Sequence, residues 1–222
     1  MEKDLTIKHN NKGWVIASIA VSVCLLACFV GLLVLVLTKH TFWVDKLNVL
    51  IANNRNQFWN WFFKILTYFG WSVLLVVLCL LSFIFKDKKI GLTMCTSVGG
   101  SAVLNLLVKY TVQRPRPELM LIEEIGFSFP SAHAMMSIAV YATIIYFVAT
   151  KMKNKALKVA LISAISAIIV IVGISRVYLG VHYFSDILAG WCLGLIVAIC
   201  AMWFYHLLGK INIKPKQTSK QK

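Results

Sequence analysis

The chain has few charged residues, and very few of them are acidic. Asp, Glu, Lys and Arg make up 14% of its 222 residues, and only eight residues are Asp or Glu. A soluble domain contains roughly 25% charged residues. Since 59% of the residues are hydrophobic, the composition excludes an ordinary soluble domain and predicts a protein whose main solvent is lipid.

Several sequence signals of other protein classes are also absent. The six cysteines include no C-x-x-C pair and no cluster with histidine, so we expect reduced, buried thiols rather than a zinc site or disulfides. The first apolar run lacks a small-residue cleavage site and is too long for a signal peptide, which predicts a retained span. No internal repeat or low-complexity segment is present, so we expect one domain.

Six apolar runs approach or exceed the roughly 20 residues that a helix needs to cross a bilayer. They cover residues 14–37, 65–85, 90–108, 132–150, 157–175 and 187–209. The sequence therefore predicts an all-α, polytopic membrane protein with six transmembrane helices in one bundle over 14–209. A polar tail at 1–13 and a basic, disordered tail at 210–222 would flank it. The second span is the weakest, because the aromatic segment 58–69 also fits an interfacial segment that leads into a shorter span.

The formal net charge of +15 is distributed unevenly. With six spans the two termini share one side of the membrane, and that side carries 15 of the 23 Lys and Arg residues. Positive charge favours the cytoplasm, so both termini are expected to be cytoplasmic. The lysines then attract anionic lipid headgroups, and nothing else in the sequence supports binding to nucleic acid.

Small residues at two places predict close contacts between helices. They are the patch GGSA at 99–102 in the third span and the GxxxG motif at 190–194 in the sixth. Small side chains let helix backbones approach closely in a membrane. We therefore interpret both as packing features.

Three polar clusters interrupt the apolar pattern. They read KYTVQRPRP at 109–117, FPSAH at 129–133 and SRVYLGVHYFSD at 175–186. Alternating topology places all three on the outer, extracytoplasmic side. Charged residues beside membrane spans are costly, so their convergence on one side indicates a functional site.

The residue types in these clusters favour phosphate chemistry. Lysine and arginine side chains converging from different helices form a receptor for a compact polyanion, and phosphate fits best. Ser131 adds a hydroxyl donor. The backbone amides that open the fourth span add the positive end of a helix dipole.

Two histidines can divide the work of displacing a phosphate ester. His182 and Asp186 stand four residues apart, so a helix beginning here would put them on one face, with the carboxylate holding one imidazole nitrogen. The other nitrogen of His182 is then free to attack phosphorus, while His133 protonates the departing oxygen. Asp186 would fix the tautomer of His182. This scheme needs no metal and no cofactor.

Each residue alone has an ordinary structural explanation. Arg116 or Arg176 would more often contact a headgroup, Asp186 would cap the sixth helix, and Ser131 would begin the fourth. It is the occurrence of all these residues on one side that favours a functional site.

Taken together, the clusters resemble the three signature motifs of the type-2 phosphatidic acid phosphatase superfamily, also called lipid phosphate phosphatases. The motifs cover spans three to six, and the six-span layout covers the whole chain. The resemblance implies that residues from all three motifs bind phosphate, namely Lys109, Arg116, Ser131, Ala132 and Arg176. It implies three catalytic residues, with His133 as the acid, His182 as the nucleophile and Asp186 as its support.

The resemblance also implies a phosphohistidine intermediate, no metal requirement and a site at the outer face. Its spacing selects Arg116 for the phosphate and leaves Arg114 as an auxiliary contact. One departure is Ala132, where the family usually has glycine. Alanine keeps the backbone N–H but disfavours positive φ, so we expect activity to survive if this residue is helical and to weaken or change in substrate choice if it is not.

The expected function is that of an integral membrane phosphatase acting on a lipid mono- or diphosphate in a bacterial cell membrane. Similar bacterial enzymes act on undecaprenyl diphosphate, phosphatidylglycerophosphate, phosphatidic acid or diacylglycerol diphosphate, and the motifs do not choose among them. One alternative is a non-catalytic lipid transporter or scaffold, which has no need of two histidines and Asp186. Another is a vanadate-dependent haloperoxidase, but those proteins are soluble.

Overall fold

A computed structural model describes residues 11–211, apart from the side chains of residues 11–12, 42–45 and 210–211. Over this range the chain is helical and contains no strand. Its α-helices are α1 Asn11–Leu37, α2 Phe42–Asn53, α3 Gln57–Leu66, α4 Ser72–Leu81, α5 Lys88–Val112, α6 Ala132–Lys151, α7 Lys155–Tyr178 and α8 Phe184–Ile211. Short 3-10 segments, Thr67–Gly70 and Ser82–Ile84, follow α3 and α4. The tails expected at 1–13 and 210–222 lie outside the described residues, except where α1 and α8 reach into them.

Five of these helices are long and apolar enough to cross a membrane: α1, α5, α6, α7 and α8. The pair Gln57–Gly70 and Ser72–Ile84 passes the same test only as a unit, and its halves are bent by 42°. The described chain therefore has five candidate spans, or six when the bent pair counts as one. It is a multi-pass membrane protein.

The second span differs most from the sequence prediction. It was expected as one helix over 65–85, but the helical segment begins at Gln57 and breaks at Trp71, whose backbone is extended with φ −68° and ψ 131°. Asn56 starts α3 by accepting a hydrogen bond from the Trp59 amide at 3.0 Å. At the break, a Cβ on Gly70 would lie 2.5 Å from a Val172 methyl group. The break thus lets the chain approach α7 closely.

Local signals set the ends of the other spans. The Asp87 carboxylate begins α5 by accepting from the Lys89 amide at 3.2 Å, and Gln113 ends it in a left-handed conformation with φ 50°. Asn154 begins α7 by accepting from the Leu157 amide at 3.1 Å. Side chains of this type satisfy amides that lack a partner in the first helical turn.

Helix α6 lies at the centre of the bundle and packs against α5, α7 and α8. The GxxxG motif of α8 permits this contact, because a Cβ on Gly194 would lie 2.3 Å from the Met135 carbonyl oxygen. The packing prediction for this motif is confirmed. In the patch on α5, Gly100 lies against Val197 and Ser101 is buried, but nothing lies within 4 Å of a Cβ on Gly99. The prediction is therefore wrong for Gly99.

The cysteine thiols are all free, but most are not buried. Only Cys79 and Cys192 are buried; the exposed ones are Cys24, Cys28, Cys95 and Cys200. The expectation of buried thiols is wrong for these four, because an apolar membrane helix also has a face that points away from the protein.

Candidate active site

Residues from the three polar clusters meet at one end of the bundle, where α5 and α7 end and α6 and α8 begin. The Ser131 amide donates to the Asp186 carbonyl oxygen at 3.1 Å. Arg116 Nη1 donates to the Val181 carbonyl oxygen at 2.8 Å. These two bonds join the second and the first cluster to the third, as the alternating topology predicts.

His182 and Asp186 face each other inside this end of the protein. The distance from His182 Nδ1 to Asp186 Oδ2 is 3.4 Å, and the two residues are 2% and 0% exposed. The same carboxylate oxygen accepts from the Tyr183 amide at 3.0 Å. Asp186 therefore supports the imidazole and also satisfies an amide at the start of α8.

The local structure corrects how this pair was expected to form. His182 is not helical, because α7 ends at Tyr178 and α8 begins at Phe184. A turn with Gly180 at φ 73° separates them. Asp186 lies in the first turn of α8 rather than at the capping position. The loop, and not a shared helix face, brings the two side chains together.

The second nitrogen of His182 faces Arg116. The distance from Arg116 Nη1 to His182 Nε2 is 3.4 Å. Burial lowers the pKa of His182 well below its ordinary value, and the charges of Arg176 and Arg116 lower it further. A carboxylate beside Nδ1 and a guanidinium beside Nε2 both fit the neutral ring with its proton on Nδ1. The Nε2 lone pair then points to the cationic side of the site.

Arg114 is a partner of Asp186 and not the auxiliary phosphate contact that the spacing suggested. Its Nη1 donates to Asp186 Oδ1 at 2.8 Å and to Ser185 Oγ at 2.7 Å. Its guanidinium also lies 3.9 Å from the centre of the Tyr183 ring. A buried carboxylate beside a neutral imidazole requires a cation to compensate its charge. From the sequence, that requirement indicates that Asp186 has a cationic partner, and the structure identifies the partner as Arg114.

Arg176 is buried and is held by two residues that the sequence did not single out. Its Nη1 donates to Thr67 Oγ1 at 2.9 Å, and its Nη2 pairs with Glu124 Oε1. Its Nε is buried and has no hydrogen-bond partner within the described part of the chain. Thr67 belongs to the break in the second span, so the break also supplies a polar partner to the site.

Glu124 lies between two arginines that were expected to bind phosphate. Besides its contact with Arg176, its Oε2 is 3.7 Å from Arg116 Nη2. Burial raises the pKa of Glu124, but attraction to Arg176 and then to Arg116 outweighs it, so the pKa is lowered. The side chain is therefore an anion held by the two guanidinium groups.

The loop from 113 to 131 is attached to the site by backbone contacts. Arg116 donates from Nε to the Gly126 carbonyl oxygen at 3.0 Å and from Nη2 to that of Ile125 at 3.1 Å. The Leu121 amide donates to the Leu179 carbonyl oxygen at 2.8 Å. These contacts fix the segment on both sides of Glu124.

Residues before the second span complete this support. Arg55 donates to the carbonyl oxygens of Tyr178 and Leu119, each at 2.9 Å. Asn48 of α2 donates to the His182 carbonyl oxygen at 2.9 Å. Sequence reasoning assigned these two residues no role, because the backbone groups that they bind lie 64 to 134 positions further along the chain.

The second cluster forms the start of α6. Ser131 is buried and caps the helix by accepting from the Ala134 amide at 3.5 Å. Ala132 is the first helical residue, so the condition under which alanine was expected to be tolerated is met. His133 lines a cavity of about 410 Å³ together with Thr67, Glu124 and Arg176.

Lys109 lies in the last turn of α5. It interacts electrostatically with Arg116 and Glu124, and His133 interacts in the same way with Arg176 and His182. All the predicted site residues are therefore at one end of the bundle. Among residues 11–211, no three His, Cys, Asp or Glu side chains are grouped as ligands for a metal ion.

The described residues thus form an all-helical membrane bundle with cationic side chains and two histidines at one end. Residues 90–210 match the sequence model of the PAP2 superfamily, and the chain belongs to this superfamily. The predicted resemblance is confirmed.

Two characterised relatives are phosphatases by name. Over 143 residues the chain is 34% identical to phosphatidylglycerophosphatase B of Bacillus subtilis (strain 168), a match that spans 64% of this chain and 70% of that protein. Over 153 residues it is 30% identical to undecaprenyl-diphosphatase of Sulfolobus acidocaldarius, spanning 65% of this chain and 70% of that protein.

Two crystal structures resemble the fold. A transmembrane PAP2 type phosphatidylglycerolphosphate phosphatase from Bacillus subtilis matches with a TM-score of 0.77 at 29% identity, over 87% of this chain and 98% of that one. LpxE of Aquifex aeolicus matches with a TM-score of 0.59 at 23% identity, over 71% and 93%. The second match supports the fold alone.

Proposed function

We propose that this protein removes the terminal phosphate from a lipid mono- or diphosphate through a phosphohistidine intermediate on His182. The observation that carries the proposal is the position of the His182 ring between Asp186 and Arg116. A buried neutral imidazole with one nitrogen supported and the other facing cations is prepared to attack an anionic phosphorus centre.

In the first step, the cationic groups and the amides at the start of α6 bind the phosphate oxygens. The proposed contacts are Lys109, Arg116, Ser131, Ala132 and Arg176. His182 Nε2 attacks phosphorus, the bond to the lipid oxygen breaks, and His133 gives that oxygen a proton. Asp186 stabilises the positive charge that grows on His182, and Arg114 holds Asp186 in place.

In the second step, water attacks the phosphohistidine. His133, now neutral, accepts a proton from this water, the bond between nitrogen and phosphorus breaks, and inorganic phosphate leaves. Every proton transfer in this scheme uses a side chain of the protein. The proposed reaction therefore continues when divalent metal ions are removed.

The proposed substrates share a phosphate on a lipid, and the names of the two relatives support this class. The proposed substrates include phosphatidylglycerophosphate, undecaprenyl diphosphate, phosphatidic acid and diacylglycerol diphosphate. Tyr68 and Trp71 line the same cavity as His133, and aromatic side chains of this kind suit a membrane–water interface. A lipid headgroup at that depth would reach the cavity.

The proposed topology counts the bent pair as one span, with the site on the extracytoplasmic side and both termini in the cytoplasm. The support is the lysine-rich end of the bundle opposite the site, at 86–89 and 151–158, since positive charge favours the cytoplasm. A C-terminal fusion to a fluorescent protein should fluoresce in cells. A C-terminal alkaline phosphatase fusion should be inactive, and an active one would contradict this orientation.

The proposed activity is tested by phosphate release from a panel of lipid phosphates. The protein is purified in detergent, treated with excess chelator and compared with His182→Ala. We expect release by the wild type and none by the variant. Binding of lipid phosphate without release by the wild type would favour a transporter or scaffold. Loss of release on adding chelator would contradict the metal-independent scheme.

A further inference from the structure

We infer that the Glu124 carboxylate competes with phosphate for Arg176 and Arg116, and so sets how tightly the site holds its substrate and its product. A carboxylate and a phosphate oxygen accept hydrogen bonds from the same guanidinium donors. Arg176 Nη2 is paired with Glu124, and Arg116 Nη2 is 3.7 Å from it. An anion that takes the Nη2 donors of both arginines must therefore displace Glu124 from them.

The three side chains differ in their freedom to move. The Arg176 side chain is 1% exposed, whereas that of Glu124 is 28% exposed. Arg176 is also anchored through Nη1 to Thr67, at 2.9 Å. Arg116 is anchored to the carbonyl oxygens of Gly126 and Ile125. Of the three groups, the carboxylate is the one that can turn toward solvent while the guanidinium groups stay in place.

The backbone around Glu124 keeps this competitor at the site. Hydrogen bonds of Leu121, Ile125 and Gly126 hold the loop on both sides of it. Displacement thus requires a side-chain rotation and not an opening of the loop. The carboxylate stays close enough to repel a bound phosphate, since two like charges brought together cost free energy.

The consequence is a limit on affinity for every phosphate, including inorganic phosphate as the product. Arg176 Nε is buried and has no partner within the described range. Arg176 therefore has a donor for phosphate besides the nitrogens that bind Thr67 and Glu124. If the site cleaves lipid phosphates as proposed above, Glu124 favours release of product between turnovers. It thereby reduces product inhibition.

The test is the dissociation constant of inorganic phosphate, measured by calorimetry on the purified full-length protein and on Glu124→Gln. The amide keeps the size of the side chain but removes its charge, so the constant should fall about tenfold. The KM for lipid phosphate should fall with it. Glu123→Gln is the matched control, because it removes the same charge from the adjacent, exposed residue and should leave both constants unchanged.

An unchanged or weaker affinity for phosphate in Glu124→Gln would overturn the inference, because it would mean that Glu124 only positions the arginines. If Glu124→Gln does not fold, Glu124→Asp replaces it. Its shorter side chain reaches Arg176 less well, so its dissociation constant should also fall, and an unchanged value would again overturn the inference. Absence of turnover by the wild type would refute the proposed function separately, since the binding measurement does not depend on turnover.

Discussion

Arg114 donates a hydrogen bond to Asp186 at 2.8 Å, and their side chains are only 8% and 0% exposed. The other oxygen of the same carboxylate is 3.4 Å from the His182 ring. The carboxylate that supports the His182 ring is thus itself supported by a buried cation. The consequences of this arrangement extend to stability as well as to activity.

Replacing Arg114 by alanine should destabilise the protein and reduce its activity. The change leaves the Asp186 carboxylate buried without its cation, and breaking a buried pair in this way typically costs about 3–5 kcal/mol. We expect a lower thermal unfolding temperature in detergent, together with a reduced kcat.

The control for this variant is Lys151→Ala. Lys151 also forms a 2.9 Å ion pair, with Asp87, but the two side chains are 43% and 29% exposed. An exposed pair contributes about 1 kcal/mol or less, so the unfolding temperature should change little. Equal losses in the two variants would contradict a special role for Arg114.

The pH dependence of turnover should reflect the lowered pKa of His182. In the proposed mechanism this residue must be neutral to attack phosphorus, and burial together with Arg176 and Arg116 lowers its pKa. As the pH falls, activity should therefore persist below the pH at which an ordinary histidine is protonated, and should fail only at more acidic values.

The variant Glu124→Gln separates the titration of His182 from that of the substrate phosphate in this pH profile. The Glu124 charge raises the pKa of His182, so its removal should move the acidic limb to still lower pH on the same substrate. The ionisation of the substrate phosphate is common to both proteins and cancels in the comparison. A limb that moved to higher pH would show that the titrating group is not His182.

Gly194→Ala should loosen the contact between α6 and α8. The added Cβ would lie 2.3 Å from the Met135 carbonyl oxygen, and overpacking of this kind costs about 1–3 kcal/mol. The unfolding temperature should fall. Gly99→Ala is the control: nothing lies within 4 Å of its new Cβ, so the unfolding temperature should stay unchanged. A fall for Gly99 and none for Gly194 would contradict the packing described for α8.

Ala132→Gly should leave kcat/KM within about threefold of the wild type. Ala132 is the first residue of α6 and has no need of positive φ, the conformation for which glycine is favoured. A gain well beyond this range would mean that the alanine methyl group obstructs the substrate.

The sequence predicts the parts of the site that depend on residue type and spacing along the chain. Alternation of the spans was enough to place His133 and His182 at one end of the bundle. The position of Glu124 could not be predicted, because it lies in a loop without periodicity and its partners belong to two other segments. Thr67 was missed for a related reason: an apolar run does not reveal where its helix breaks.

The function of Arg114 illustrates the same limit. Motif spacing distinguishes it from Arg116 but does not say what it binds. Its partner, Asp186, is 72 residues further along the chain, and only the fold brings the two together. Chemical reasoning about a buried carboxylate indicates that a cation is needed, but it does not say which one.

The phosphohistidine on His182 is the central claim, and it can be observed directly. The purified protein is mixed with a lipid phosphate that carries a radiolabelled terminal phosphate, quenched rapidly at alkaline pH, and digested for mass spectrometry. We expect transient, acid-labile label on His182 and none in His182→Ala. Label on another residue, or continued turnover by His182→Ala, would contradict the account.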